Sequence, residues 1–509
     1  MHQYHGLELK SFIMKRFLNI FAASLLASVA ISCTKDGFYM PDASYDASYD
    51  ESLSGEPEVP AGGDKFDEIK ENDFIKTADQ NVSTFSIDAD GASYAYMRKC
   101  LRMGVKPSPN AVRIEEYLNY FTFDYPDPAG DHTVAINGEV GVCPWNPEHK
   151  LIRLGIKGRS IPANQMPAAN YVFLIDVSGS MNQEDKLPLL KEGLMTLTDR
   201  LNPSDRVSIV TYSGSVKLLL ESTLVSDAGV IKQAIMKLGA SGSTAGGEAL
   251  RMAYEEALAN YIEGGNNRVI MGTDGDFNVG VTSTDALVEM VQDYASKGIY
   301  ITVCGFGTGN LNDSMMEQIS NKGNGTYEYI DSEDELSKVF VNERARFQAV
   351  ANDSKVQVTF DKEKVDSYRL IGYENRVMAN EDFEDDTKDA GEIGAGQTIT
   401  ALYEIVPTES FNGEGPLAVF DFRYKKMLGE ESIPLTLDIN PADALDATPT
   451  ELRFAAGVAA YGMVLRDSKY KGSATLDMAY ELVGERLSSD NFGYRAQLQE
   501  LIMMAKELQ

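Results

Sequence analysis

Positive charge and histidine are scarce in this chain. Its 509 residues carry 46 Lys and Arg against 77 Asp and Glu, a formal charge of -31, which repels phosphate backbones and excludes a nucleic-acid-binding role. Of the four histidines, His2 and His5 precede an alternative start at Met14, which leaves only His132 and His149. No HExxH, P-loop lysine motif or GxSxG elbow occurs, so no zinc hydrolase or triad hydrolase, and no enzyme of those classes, is expected. Apolar runs long enough to cross a bilayer are missing after Cys33. Cysteine is sparse as well: Cys304 lies in the buried-strand pattern YITVCGFG and reads as a packed thiol. Cys100 and Cys143 have no framework of spacings, and a disulfide between them stays an open alternative to two free thiols.

What is present begins at the amino end. Lys15 and Arg16 precede the apolar run FLNIFAASLLASVAIS, the pattern of a signal peptide over residues 1–32. Ala30-Ile31-Ser32-Cys33 resembles the lipobox of bacterial lipoproteins, in which the cysteine is lipidated after cleavage. Residues 33–72, with DASYDASYDES and then Gly, Pro and Glu, have little to bury and read as an acidic tether.

The remainder is too long for one core. Residues 73–165 predict a helical hairpin (ASYAYMRKCLRMG and AVRIEEYLNYF, apolar at a period near 3.6) followed by alternating strands, with Trp145 as a core anchor. Asp88 and Asp90 in SIDADG read as a turn with a helix cap. Residues 166–348 alternate apolar strands with amphipathic helices, which predicts an α/β unit with a doubly wound, mostly parallel sheet. Within it VKLLLES follows RVSIVTYS through a tight Ser-Gly-Ser turn and should pair antiparallel. Residues 349–445 are β-rich, the acidic run 381–389 being a solvated loop, and residues 446–509 are helical. Strands on both sides of the α/β unit predict that it is inserted in, or flanked by, a β-rich sandwich built from 130–165 and 350–440.

Three segments carry chemistry. YVFLIDVSGSM ends a strand on Asp176 and releases Ser178 and Ser180; GASGSTAGGEAL places Thr244 in a Gly-rich loop that opens a helix; RVIMGTDGDFNVG ends a strand on Asp274. In a doubly wound sheet the carboxyl ends of neighbouring strands converge on one crevice, so these groups can surround one hard cation. Two carboxylates and three neutral hydroxyls leave such an ion electrophilic, with a water-filled position for an incoming acid group.

These residues resemble the metal-ion-dependent adhesion site (MIDAS) of von Willebrand factor type A (vWA) domains: D-x-S-x-S as Asp176, Ser178 and Ser180, the loop threonine as Thr244, and the aspartate of a T-D-G turn as Asp274. The resemblance implies Ser178, Ser180 and Thr244 as direct ligands and Asp176 and Asp274 acting mainly through water. The ion it implies is magnesium, with manganese or calcium as alternatives. NVSTFSIDADGASYAYMRKCL, CPWNPEHKLIRLGIKG, YRLIGYENR and FAAGVAAYGMVLRDS extend the likeness to a YfbK-like family of bacterial vWA lipoproteins. Gln397 departs from it, where histidine is expected.

The implied function is metal-dependent binding of a protein partner that supplies an Asp or Glu. It would be carried out by a body attached to the membrane only through lipid on Cys33, in the bacterial envelope at the outer membrane. A scaffold subunit with a structural ion is the alternative, and a magnesium-dependent phosphoryl-transfer enzyme the third reading.

Overall fold

The computed structural model describes residues 63–88, 90–242, 246–275, 284–388, 390–441, 450–484 and 490–509. The signal peptide, residues 33–62 of the tether (Cys33 included) and Thr244 lie outside the described residues, while residues 63–72 are tied to the body rather than free: Phe66 packs on Tyr96 with ring centroids 4.9 Å apart, and Lys65 N–H donates to Leu311 O at 2.8 Å. The first strands are short, β1 (Ile75–Lys76) and β2 (Val82–Ser86), and are followed by helices Ala92–Arg102 and Ile114–Asn119 and then by β3 (Val134–Val142) and β4 (Lys150–Gly158).

Strands apolar on both sides must be covered on both faces, and β5 (Ala169–Asp176) is buried along its whole length. It sits inside a six-stranded sheet with β6 (Arg206–Tyr212), β7 (Val216–Leu224), β8 (Asn266–Thr273), β9 (Ile299–Phe306) and β10 (Thr326–Ile330), in the order β10-β9-β8-β5-β6-β7. All pairings are parallel except the edge hairpin of β6 and β7. One face carries Val172, Leu174, Val269 and Met271; the other carries Tyr171, Phe173, Ile175 and Ile270. Alternate side chains of one strand thus feed two separate cores.

The chain then returns to β structure with β11 (Ala349–Phe360), β12 (Val365–Ile371), β13 (Val377–Met378), β14 (Gly391–Gly394), β15 (Thr398–Pro407), β16 (Ala418–Lys425) and β17 (Ile433–Ile439). Two antiparallel sheets result, β1-β12-β15-β4-β3 and β13-β2-β11-β16-β17, with β14 attached to β11. Ile152, Leu154 and Ile156 of one sheet share a core with Val356, Val358, Phe420 and Phe422 of the other. Each sheet mixes strands from before and after the α/β unit, which is therefore inserted into the sandwich between β4 and β11.

Helices Thr450–Leu465, Leu476–Gly484 and Tyr494–Glu507 pack on the amino-terminal helices, burying Tyr94, Met97, Tyr117, Phe454 and Tyr461 together. Helix Ala92–Arg102 touches two cores at once: Tyr94, Met97 and Leu101 face the terminal helices, while Ala92, Ala95, Tyr96 and Cys100 face the α/β sheet. No helix among the described residues is long and apolar enough to cross a membrane.

Some sequence expectations change. The strands β1 and β2 lie where only helix is expected; VSTFS alternates weakly, and it becomes a strand because β11 pairs with it through Lys355↔Ser86 and Val358↔Ser83. Asp88 Oδ1 accepts the Asp90 N–H at 3.0 Å in the expected turn, but the helix starts at Ala92 after Gly91, with no side-chain cap. Asp88 pairs with Arg376 at 3.0 Å, and Asp90, 3.8 Å from the same guanidinium, accepts the Tyr327 N–H at 2.8 Å, so tertiary partners take the carboxylates that a helix cap would have used. Cys100, Cys143 and Cys304 are three separate buried thiols. Trp145 is buried at 2% exposure and its Nε1 donates to Glu404 Oε2 at 3.1 Å.

Candidate metal centre

The strand order locates the crevice. From β5 the chain runs outward to β6 and β7 on one side and later fills β8, β9 and β10 on the other, so the connections diverge at the β5–β8 pair. Outside the carboxyl ends of such a pair a doubly wound sheet leaves room for a ligand. Asp176 is the last residue of β5, and Asp274 immediately follows β8.

Short backbone links shape the loop after β5. Val177 N–H donates to Tyr212 O at 2.9 Å, while Ser241 N–H donates to Val177 O at 2.7 Å and Gly179 N–H to Gly242 O at 3.1 Å. These bonds hold the D-x-S-x-S turn against the start of the Gly-rich loop. Ser178 N–H donates to Asp176 Oδ1 at 2.8 Å, and the Ser178 and Ser180 hydroxyls lie 2.9 Å apart. Gly275, at φ +91°, makes the turn after Asp274; a Cβ there would stand 2.5 Å from the backbone nitrogen of Asn312. Only glycine fits that approach.

The two carboxylates are wholly buried but differ in character. Burial pushes the Asp176 carboxyl up to about 6. Hydrogen bonds from Ser178 oppose this, the Asp274 charge adds to it, and the Tyr212 phenol exerts a weaker downward pull. Burial also works to raise Asp274, but hydrogen bonds from Ser180, Lys186 and Asn310, together with the Lys186 charge, hold it below the ordinary aspartate value. Lys186 Nζ donates to Asp274 Oδ2 at 2.9 Å and is itself 3% exposed. The loop that carries Asn310 is braced from the amino-terminal segment, where Asp64 Oδ1 accepts the N–H groups of Gly309 at 2.7 Å and Leu311 at 3.0 Å.

Asp176, Ser178, Ser180 and Asp274 thus lie together, and Thr244 is outside the described residues. The donor set suits a hard cation. Burial of the Asp176 carboxyl beside two serine hydroxyls leaves it to neutral donors, Ser178 and Tyr212, a setting that a hard cation would stabilise. Among the described residues no group of three or more His, Cys, Asp or Glu side chains is placed to hold an ion, so hydroxyls would have to complete the ligand set. Sequence reasoning missed Lys186 and Asn310. A signal for the lysine existed: Lys186 directly precedes helix Leu187–Thr198 without capping it, a place where the helix dipole disfavours a cation unless an acid holds it.

Comparison with known proteins agrees with this order of parts. The family profile described as von Willebrand factor matches residues 60–153, that of the von Willebrand factor type A domain residues 170–342, and that of the carboxy-terminal region of the uncharacterized protein YfbK residues 345–508. The uncharacterized protein YfbK of Escherichia coli (strain K12) is 35% identical over 474 residues, covering 87% of this chain and 81% of that protein. The chain belongs to the YfbK family of vWA proteins. Inter-alpha-trypsin inhibitor heavy chain H4 of Homo sapiens is similar over a smaller part, 29% identical over 204 residues, which is 38% of this chain and 21% of that one. Among solved structures, the von Willebrand factor type A protein from Catenulispora acidiphila is 16% identical with a TM-score of 0.42, covering 71% of this chain and 89% of that chain. The YfbK-family chain therefore carries its vWA domain between two further matched regions, and in the fold those two regions build the sandwich together.

Proposed function

We propose that Asp176, Ser178, Ser180 and Asp274, with Thr244, hold a divalent cation through which this chain binds an Asp or Glu of a partner protein. Magnesium is the expected ion, with manganese or calcium as alternatives. The body would be attached to the bacterial envelope by lipid on Cys33, at the outer membrane. The observation that carries the reading is Asp176, buried at the carboxyl end of β5 with one oxygen held by the Ser178 N–H at 2.8 Å and the Ser178 and Ser180 hydroxyls gathered beside it, 2.9 Å apart. A hard cation of this kind supplies a water-filled coordination position that a carboxylate can take. Gly179 and Ser180 are exposed and give a partner a route to the site, which favours an interaction role over a purely structural ion.

Thermal unfolding with and without magnesium or manganese tests the site. Because the ion binds only the folded chain, a concentration a hundredfold above Kd should stabilise it by about 2.7 kcal/mol, and Asp176→Ala should abolish the shift. An undiminished shift in that variant would refute the assignment.

A further inference from the structure

Lys186 stands in a site that would otherwise be purely acidic. Its ammonium is buried against Asp274, and its aliphatic stem crosses Gly307, where an added Cβ would lie 2.2 Å from the lysine Cε. Gly307 has φ +70°, so the chain both turns there and leaves room for the lysine. At the amino end of helix Leu187–Thr198 the lysine is held against the helix dipole. An ion pair needed only for stability gains nothing from that position, whereas a charge needed beside the carboxylates does.

We propose that Lys186 is a built-in counter-cation that neutralises Asp274 and leaves an ion at this site short of negative charge, so that the ion and a partner carboxylate strengthen each other's binding. This rests on the metal reading above. Asp176 and Asp274 bring two negative charges and Lys186 one positive charge. With a divalent cation present the site keeps one positive charge in excess, which the carboxylate of a partner removes. Were the lysine neutral, the two aspartates would balance the ion by themselves, and a third carboxylate would meet a neutral site. Because binding linkage is reciprocal, Lys186 makes the metal hold weakly until the carboxylate arrives and makes the carboxylate depend on the metal. Lys186 acts through Asp274 and is a positioning residue for charge.

The test is a manganese titration of the full chain, followed by electron paramagnetic resonance of the free ion, in chloride and in acetate as a stand-in for the partner carboxylate. Association of acetate with manganese in buffer is subtracted. Acetate should tighten manganese binding to the wild type several-fold. Lys186→Met keeps the stem and removes the charge; it should bind manganese at least about tenfold more tightly in chloride and lose the acetate gain. Lys186→Arg should behave as wild type, and Lys186→Gln repeats the comparison should the methionine variant not fold. A neutral variant with unchanged or weaker manganese affinity, or with the acetate gain intact, overturns the role of Lys186 and leaves the metal site standing. Failure of the wild type to bind manganese at all overturns the site reading and this inference with it.

Discussion

Asp176 closes β5 and Asp274 follows the neighbouring parallel strand β8, yet their carboxyls are driven in opposite directions. Both are buried to 0% exposure. Asp176 answers mainly to burial and rises to about 6, whereas Asp274 is held low by Ser180, Lys186 and Asn310. The pair offers one carboxyl that burial drives toward its neutral form and one that Lys186 holds charged.

Replacing Asp274 by asparagine leaves the Lys186 ammonium buried without its counter-charge. Breaking a buried pair from one side costs about 3 kcal/mol or more. Urea unfolding without metal should therefore show a lower midpoint for Asp274→Asn, and a midpoint equal to wild type would mean that the lysine finds another partner.

Arg98 ties the amino-terminal helix to the end of the α/β sheet. Its guanidinium reaches Asp331 at 2.5 Å and Glu335 at 2.6 Å, with all three side chains at or below 2% exposure, and it also donates to the Tyr120 hydroxyl at 2.8 Å. Arg98→Leu leaves Glu335 buried without its cation and Asp331 with only the more distant Arg102 at 3.6 Å, so a loss of about 3 kcal/mol is expected. Calorimetry should show the whole melting transition moving down, because the helix belongs to two cores.

A second acidic cluster predicts the pH dependence. Burial raises Glu116 from 4.5 to about 8 against the pull of Arg113, with the Asp88 charge adding to the rise. Asp90 and Glu115 are raised in the same direction by burial and by neighbouring carboxylates. A group whose folded value is raised binds its proton more tightly in the folded chain. Its contribution is complete below about 4.5 and is lost as pH climbs through about 8. Chemical denaturation should find stability falling across that window, and Glu116→Gln should flatten the slope. Stability that rises over the same range would contradict the assignment.

Lipid attachment is tested at Cys33. Fractionation of cells expressing Cys33→Ser should find the chain released from membranes once the signal is cleaved, since the described residues contain no membrane-crossing helix. A cleaved variant still sedimenting with membranes would speak against the anchor.

Local pattern sufficed for much of this molecule. The period of YVFLID, its ending on an aspartate and the small hydroxyls after it follow from rules that act within a few residues, and so did the β6–β7 hairpin and the terminal helices. The inserted arrangement was legible because strands flank the α/β unit on both sides. Tertiary structure decided what depends on distant partners. β2 became a strand only between β11 and β13, both distant in sequence. Asp88 turned from a helix cap to Arg376, 288 residues away, and Lys186 joined Asp274 across 88 residues. Burial makes such pairings strong by removing water. It is set by the packed whole, and no stretch of sequence carries it.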